Sequence, residues 1–292
     1  MYSVSLTTIK PLAPESVDTR HAGRGALLSQ WVDACRKASL TRATFHDGAR
    51  KIIRPYTITF TTIDDSVKLS DAGFTRAKLK ALTRYYLHPE SQKAAIALWS
   101  KRRDKAKYGS VGLTTYAHFV KGDVGGHTPH GSAFGPCLQD VCITWIAKDR
   151  YAIDVSYRTT ELFKKFAPDL VFINDVLLKP FDFSEMQLDE ARFNFANVTC
   201  HSMYWCTLIP HFEDPIAELE KIKRVDPYFH KCIVRWTAMY LVPKYFKGIA
   251  KFSQALRVQK DVLERVEPEE QVRLRKYLMA NHPKREEAND ET

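Results

Sequence analysis

The stretch FGPCLQDVCITW, residues 134–145, carries two cysteines, Cys137 and Cys142. Cys137 follows a proline at the point where a glycine-rich loop runs into a strand-like segment. Four roles suit such a residue: structural thiol, metal ligand, disulfide half or nucleophile. Two further residues bear on the choice. Arg158 lies at the end of a strand-like run, and Asp169 follows Pro168 at a break in a helix-like one. An arginine beside a thiol lowers its pKa and can also grip a phosphate. A thiol, a guanidinium and a carboxylate at strand and helix ends therefore suit attack on a phosphorylated electrophile. On this reading Cys137 is the nucleophile; the competing reading is one more buried cysteine. No CxxC pair occurs, which argues against a zinc ribbon, and no metal site is predicted. Cys142 stands on the opposite face of a regular strand and reads as a packing residue.

The elements that must position these groups follow from pattern. Residues 1–25 read as a weakly ordered lead-in, 26–281 as one domain and 282–292 as a charged tail. Leu27, Trp31, Ala34 and Cys35 share one helical face over 26–40. Two strands meeting at Asp47-Gly48 are predicted over 41–63. From Gly73 to Lys107 the pattern is helical, broken near HPES, with Ser91 or Glu90 opening the second helix. A strand is predicted over 108–120. An irregular loop over 121–136, with His127 and His130, leads to Cys137. Two strands joined by Lys148-Asp149-Arg150 follow. Thr159-Thr160-Glu161 is predicted to open a helix that Pro168 splits into a short piece, a bend and a longer piece. A strand is predicted over 193–209, a helix opened by Asp214-Pro215 over 214–225, and further helix within 235–281. The whole is a mixed α+β domain, its strands largely antiparallel and its helices packed on one side.

Composition sets the setting. Of the 292 residues, 45% are hydrophobic and 12% aromatic, enough for a folded core. No apolar run reaches the roughly 18 residues of a membrane span, and no apolar segment follows a basic start. A cytoplasmic protein without membrane partners is predicted. The six cysteines then read mostly as buried thiols in a reducing compartment. The net charge of +10 is either surface solubility or attraction to phosphates of a nucleotide or a polymer.

The order of the motifs carries a resemblance. Pro136-Cys137 is followed by a strand pair and by Tyr157-Arg158-Thr159-Thr160-Glu161-Leu162-Phe163. Pro168-Asp169 then leads into a helix ending in Leu177-Leu178, and CHSMYW closes the series at 200–205. Over about residues 40–230 this resembles the core of the thymidylate synthase superfamily, which includes the pyrimidine-nucleotide hydroxymethylases. The resemblance implies a thymidylate synthase-like fold, a homodimer through the sheet face, a pyrimidine nucleoside monophosphate as substrate and 5,10-methylenetetrahydrofolate as one-carbon carrier. It also implies the chemistry. A thiolate adds to C6 of the base, C5 becomes a nucleophile and attacks the one-carbon unit, and elimination of the thiol restores the ring. Hydride transfer leaves a methyl group, and water leaves a hydroxymethyl group.

Residue by residue, the resemblance makes Cys137 the nucleophile and Arg158 the phosphate ligand. Asp169 falls near the base-reading position, where a carboxylate would accept from the exocyclic amine of cytosine; Asn174 and Asp175 are alternatives, as is a capping role for Asp169. Tyr204 is a sugar contact. Strand alternation places Ser202 with Tyr204, so either Ser202 replaces the family histidine or a bulge brings His201 round. Arg42, or alternatively Arg36, stands where members bind phosphate before the first hairpin.

Three departures qualify the match. Arg102 and Arg103 come early for the arginine pair that members extend into the partner's phosphate site. LKALTRYYLHPES lacks the glutamate that members use to organise proton transfer. The tail REEANDET is charged where members carry an apolar segment over the folate. A one-carbon transferase, hydroxymethylating rather than methylating, is the leading expectation. A relative that binds or modifies bases in a nucleic-acid polymer and a catalytically silent structural homologue are the alternatives.

Overall fold

The computed structural model describes residues 16–18, 26–61, 76–105, 108–114, 137–241 and 262–282. Helix α1 (Ala26–Leu40) forms because Trp31, Ala34, Cys35 and Ala38 fall on one stripe, and all four are buried. Trp31 Nε1 donates to the carbonyl of Leu162 at 3.0 Å, which ties this stripe to the segment after Arg158. Strands β2 (Phe45–Asp47) and β3 (Arg50–Ile53) form the expected hairpin. Its turn is Gly48-Ala49, with Gly48 at φ 55°, a conformation that a residue without Cβ adopts at no steric cost. A third strand, β4 (Tyr56–Phe60), follows a cis Arg54–Pro55 bond, so the 41–63 segment holds three strands rather than two.

Helices α2 (Arg76–Tyr86) and α3 (Pro89–Asp104) bear out the helical reading of 73–107. The second starts earlier than predicted. His88 caps it, its ring nitrogen accepting from Ser91 N at 3.0 Å, and Pro89 occupies the first turn, where no intrahelical donor is required. Strand β5 (Gly109–Thr114) is followed by residues 115–136, so the loop with His127 and His130 lies outside the described residues.

Strands β6 (Leu138–Ala147) and β7 (Arg150–Glu161) form the predicted hairpin. β7 runs on through Thr159, Thr160 and Glu161, so those residues do not open a helix. They pair with Asn197, Val198 and Thr199 of β8 (Gln187–His201), and Thr159 Oγ1 donates to Asn197 Oδ1 at 2.6 Å. Helix α4 (Phe166–Phe172) follows and continues as a π-helical segment, Ile173–Leu178. Pro168 does not split it. It sits in the first turn, where the missing N–H leaves no bond unmade. This long helical connection makes β7 and β8 parallel, as a crossover requires.

Together the strands make one mixed sheet of order β1-β4-β8-β7-β6-β5, with β1 (Ser16–Asp18) parallel to β4, and the β2–β3 hairpin joined through β3 to the end of β8. The lead-in therefore contributes a strand. On β4, β6, β7 and β8 alternate residues are buried, among them Ile58, Val141, Val155 and Phe193. α1, α3 and α4 pack on this side; Phe166 of α4, for example, meets Phe60 and Phe193 edge or face on. The other face exposes Thr57, Cys142, Thr144, Asp154, Ser156 and Asn194 in part. The 3-10 segment Ser202–His211, α5 (Pro215–Val225), α6 (Pro227–Leu241) and α7 (Pro268–Asn281) complete the described chain. The predicted strand over 193–209 therefore ends at His201. One core cluster runs from Trp31 to Leu278. Among the described residues no helix is long and apolar enough to cross a membrane.

Candidate active site

Cys137 stands immediately before β6. Its carbonyl accepts from Arg158 N at 2.8 Å, and its Sγ lies 3.9 Å from Arg158 Nη2. The pairing of β6 with β7 therefore sets thiol against guanidinium. A bulge accompanies it: Leu138 pairs with Tyr157 and Asp140 with Ser156, which leaves Gln139 extra. Bulges of this kind re-aim neighbouring side chains. The bulge also removes the basis for placing Cys137 and Cys142 on opposite faces, because no regular alternation links them. Cys142 is half-buried on the open face of the sheet, near Thr144 Oγ1.

Asp169 is brought to the same place. It lies inside α4, 6% exposed, and does not cap the helix, whose N-cap is Lys165. Its carboxylate has no hydrogen bond or ion pair among the described residues, and burial pushes its pKa up to about 7 against the opposing charges of Lys78 and Lys165. Asn174 and Asp175, the alternatives, bond to each other at 3.1 Å on the π segment. The Cys137 thiol is pushed above its ordinary pKa, by burial first and by Asp169 as well. Arg158 and Lys165 pull the other way and do not prevail. The expectation that Arg158 favours thiolate holds for its own effect, but the resting thiol is protonated at neutral pH.

Three tyrosines to which the motif reading gave no role lie near these groups. Tyr86 is buried at the end of α2, its phenol oxygen accepts from the Leu138 amide, and it feels Asp169 and Cys137. Tyr85, half-buried beside it, feels Cys137 and Arg158. Tyr157 is fully buried and feels Asp169, Tyr86 and Cys137. The only sequence signal for the first two was their place in LKALTRYYLHPES, where a glutamate was sought. Glu90 is exposed in the first turn of α3.

A second group adjoins through the turn at Lys164-Lys165. Glu161 ends β7; its Oε1 accepts from His201 N at 3.1 Å, and its Oε2 is buried with no hydrogen-bond partner among the described residues. Burial, the largest effect, still pushes this carboxyl up to about 7. Because β8 ends at His201 and a 3-10 turn follows, His201 and Tyr204 face each other with ring centroids 5.5 Å apart. His201 is therefore the partner of Tyr204, through a helical turn rather than a bulge. His201 Nδ1 accepts from Met203 N at 3.2 Å, and burial followed by Arg50 pulls its pKa down. Lys164 Nζ lies 4.4 Å over the Tyr204 ring. Ser202 is buried and faces neither ring by any described contact; its amide donates to Ala49 O.

Arg42 is exposed after α1 and makes no hydrogen bond or ion pair with these groups among the described residues. Arg36 faces Asp33 at 4.0 Å. The arginine set against His201 is Arg50, its β3 partner. Arg103 is committed within its own chain, donating to the carbonyls of Asp182 and Ser184 at 3.1 Å each. All six cysteines are free, and among the described residues no three His, Cys, Asp or Glu side chains gather as metal ligands would.

The chain matches no protein-family model and no curated protein.

Proposed function

We propose that this chain is a pyrimidine-nucleotide C5 one-carbon transferase of thymidylate synthase-like fold, that its nucleotide is a cytidylate, and that its product is hydroxymethylated rather than methylated. One observation carries the reading: β6, β7 and α4 bring Cys137, Arg158 and Asp169 together, with the thiol 3.9 Å from the guanidinium and the buried carboxylate unpaired among the described residues. Sulfur of Cys137 adds to C6, and the ring electrons move towards C5. Once C5 has formed its new carbon bond its proton passes to solvent, the new carbon parts from its carrier and takes its hydroxyl from water, and the S–C6 bond breaks to return the thiolate. Arg158 holds phosphate and supports the thiolate. Asp169, ionised, accepts from the exocyclic amine of the base. The thiol is protonated at rest, so its ionisation accompanies ligand binding.

A reduced folate, 5,10-methylenetetrahydrofolate, is the one-carbon carrier that this reading implies. The half-buried Tyr85 ring beside Cys137 and the exposed Lys78 and Lys165 suit a planar heterocycle with a carboxylate tail. When bound it would supply the carbon that C5 attacks. A second copy of the chain would cover the half-exposed sheet face.

Purified protein with methylene-tetrahydrofolate should release tritium from C5 of labelled cytidylate, and Cys137→Ala should abolish the release. Folded protein that releases none from cytidylate or uridylate overturns the reading. The cationic cluster of Lys78, Lys164, Lys165 and Arg158 favours a second reading, a base in a nucleic-acid polymer. Salt-dependent binding of single strands, with no mononucleotide binding, selects that one.

A further inference from the structure

Tyr157 carries a polar atom that the fold itself does not use. Its side chain is 2% exposed, and its ring packs against Phe166 at 6.0 Å and Phe195 at 5.0 Å. Its hydroxyl oxygen is buried and has no hydrogen-bond partner among the described residues. A phenylalanine would fill the same volume without that loss. A buried donor left without a partner is destabilising.

Position explains what the hydroxyl serves. Tyr157 pairs across the sheet with Leu138, next to Cys137. Phe166, which its ring touches, precedes Asp169 by three residues on α4, so both project from one side of the helix. Tyr157 thus stands where the Cys137 end of β6 and the Asp169 side of α4 meet, and Asp169, Tyr86 and Cys137 all act on its hydroxyl. Tyr86 already accepts from the Leu138 amide. Asp169 is likewise unpaired among the described residues. The Tyr157 hydroxyl, an O–H donor, and the Asp169 carboxylate, an acceptor, are therefore both without a hydrogen-bond partner among the described residues, and each feels the Cys137 side of the sheet.

We propose that Tyr157 is a specificity-determining residue, whose O–H donates to a ring acceptor adjacent to the exocyclic amine that Asp169 accepts from. The pair selects an amidine-like edge, an amine donor beside a ring-nitrogen acceptor, as an aminopyrimidine presents. The corresponding uracil edge, a carbonyl beside an N–H, opposes both groups. Burial keeps Tyr157 a phenol and hence a donor. This assignment rests on the proposed function and adds to it a second residue that reads the base.

The test is protection of Cys137 from iodoacetamide, read by mass spectrometry, with cytidylate, uridylate and 3-deazacytidylate, which lacks the ring acceptor but keeps the amine. Wild-type protein should be protected by cytidylate at concentrations about tenfold or more below those needed of 3-deazacytidylate. Tyr157→Phe should protect equally with the two, while its melting temperature equals or exceeds that of wild type, since the hydroxyl it loses had no partner. Equal protection of wild type by both analogues overturns the assignment and leaves the proposed function standing. So does a Tyr157→Phe variant that keeps the preference. Failure of every pyrimidine nucleotide to protect Cys137 overturns both.

Discussion

Arg158 is joined to Cys137 twice, through its amide to the Cys137 carbonyl at 2.8 Å and through its guanidinium to Sγ at 3.9 Å. The first bond belongs to the sheet and the second to the chemistry, so the strand pairing itself sets the thiol against its cation. The two residues are far apart in sequence, and only the β6–β7 hairpin returns one to the other. Even so, burial outweighs the cation, and the thiol remains protonated at neutral pH in the ligand-free protein.

Replacing Arg158 should therefore push the thiol further up. For Arg158→Met, alkylation of Cys137 by iodoacetamide at pH 8 is expected to slow by about threefold to tenfold, the latter being one pKa unit. Wild-type alkylation should climb with pH past 9 without levelling off near neutrality. An unchanged rate in the variant would show that the guanidinium does not govern this thiol.

Asp169 acts in the opposite sense on the same sulfur, since its charge pushes the thiol up. Asp169→Asn should speed alkylation at pH 8. It should also change stability with a definite sign. The folded carboxyl titrates near 7 against an ordinary 3.8, so the folded state holds the proton more tightly, and stability falls as pH rises from about 4 to about 7. The substitution removes that loss, on the order of 4 kcal/mol at pH 8 and little at pH 4. Thermal melts of both proteins across this range check it; parallel curves would contradict it.

Glu161 ties the end of β7 to the end of β8 by accepting from the His201 amide at 3.1 Å. Glu161→Ala orphans that donor and should cost about 1–3 kcal/mol, with weaker nucleotide protection of Cys137. Glu161→Gln keeps an acceptor and removes a buried charge, so at pH 8 it should be the more stable of the two variants. A Glu161→Ala protein as stable as wild type would show that the carboxylate does not act as a clamp.

Lys51, which pairs with Cys200 across β3 and β8, is 0% exposed. It donates to Ser39 O at 2.8 Å, lies 3.5 Å from Asp226 Oδ2 and sits 5.0 Å from the Phe229 ring centroid. Asp226 also accepts from Phe229 N at 2.9 Å and contacts His46 Nε2 at 3.0 Å. Asp226→Ala leaves a buried ammonium without its counter-charge and should destabilise by roughly 3–5 kcal/mol. Urea melts measure this, and a loss under 1 kcal/mol would contradict it. Nucleotide protection of Cys137 should persist in protein that remains folded.

Local pattern was enough for much of the scaffold. The stripe of Trp31, Ala34 and Cys35 specified α1, Asp214-Pro215 specified the start of α5, and Lys148-Asp149-Arg150 marked the β6–β7 hairpin. In each case residues within a few positions of one another satisfy the element's own backbone or its own face, so the information is local. The identities of Cys137, Arg158 and Asp169 as the groups able to do chemistry were legible in the same way, from residue type and order.

Contacts between elements were not legible. Thr159-Thr160-Glu161 has the composition of a helix start, but its hydrogen bonds go to Asn197, Val198 and Thr199, a pairing that no local signal announces. His201 and Tyr204 read as members of one strand until the chain turned at Ser202 and brought their rings together. No local signal set Arg50 opposite His201; the β3–β8 register did. Tyr85, Tyr86 and Tyr157 look like ordinary core residues until α2 and β7 meet around Cys137. Spacing along the chain therefore determined which residues share a face and which carry reactive groups. Tertiary structure alone decided which faces meet, because long-range strand pairing and helix packing depend on residues far away in the sequence, and that choice sets every distance and pKa shift in the pocket.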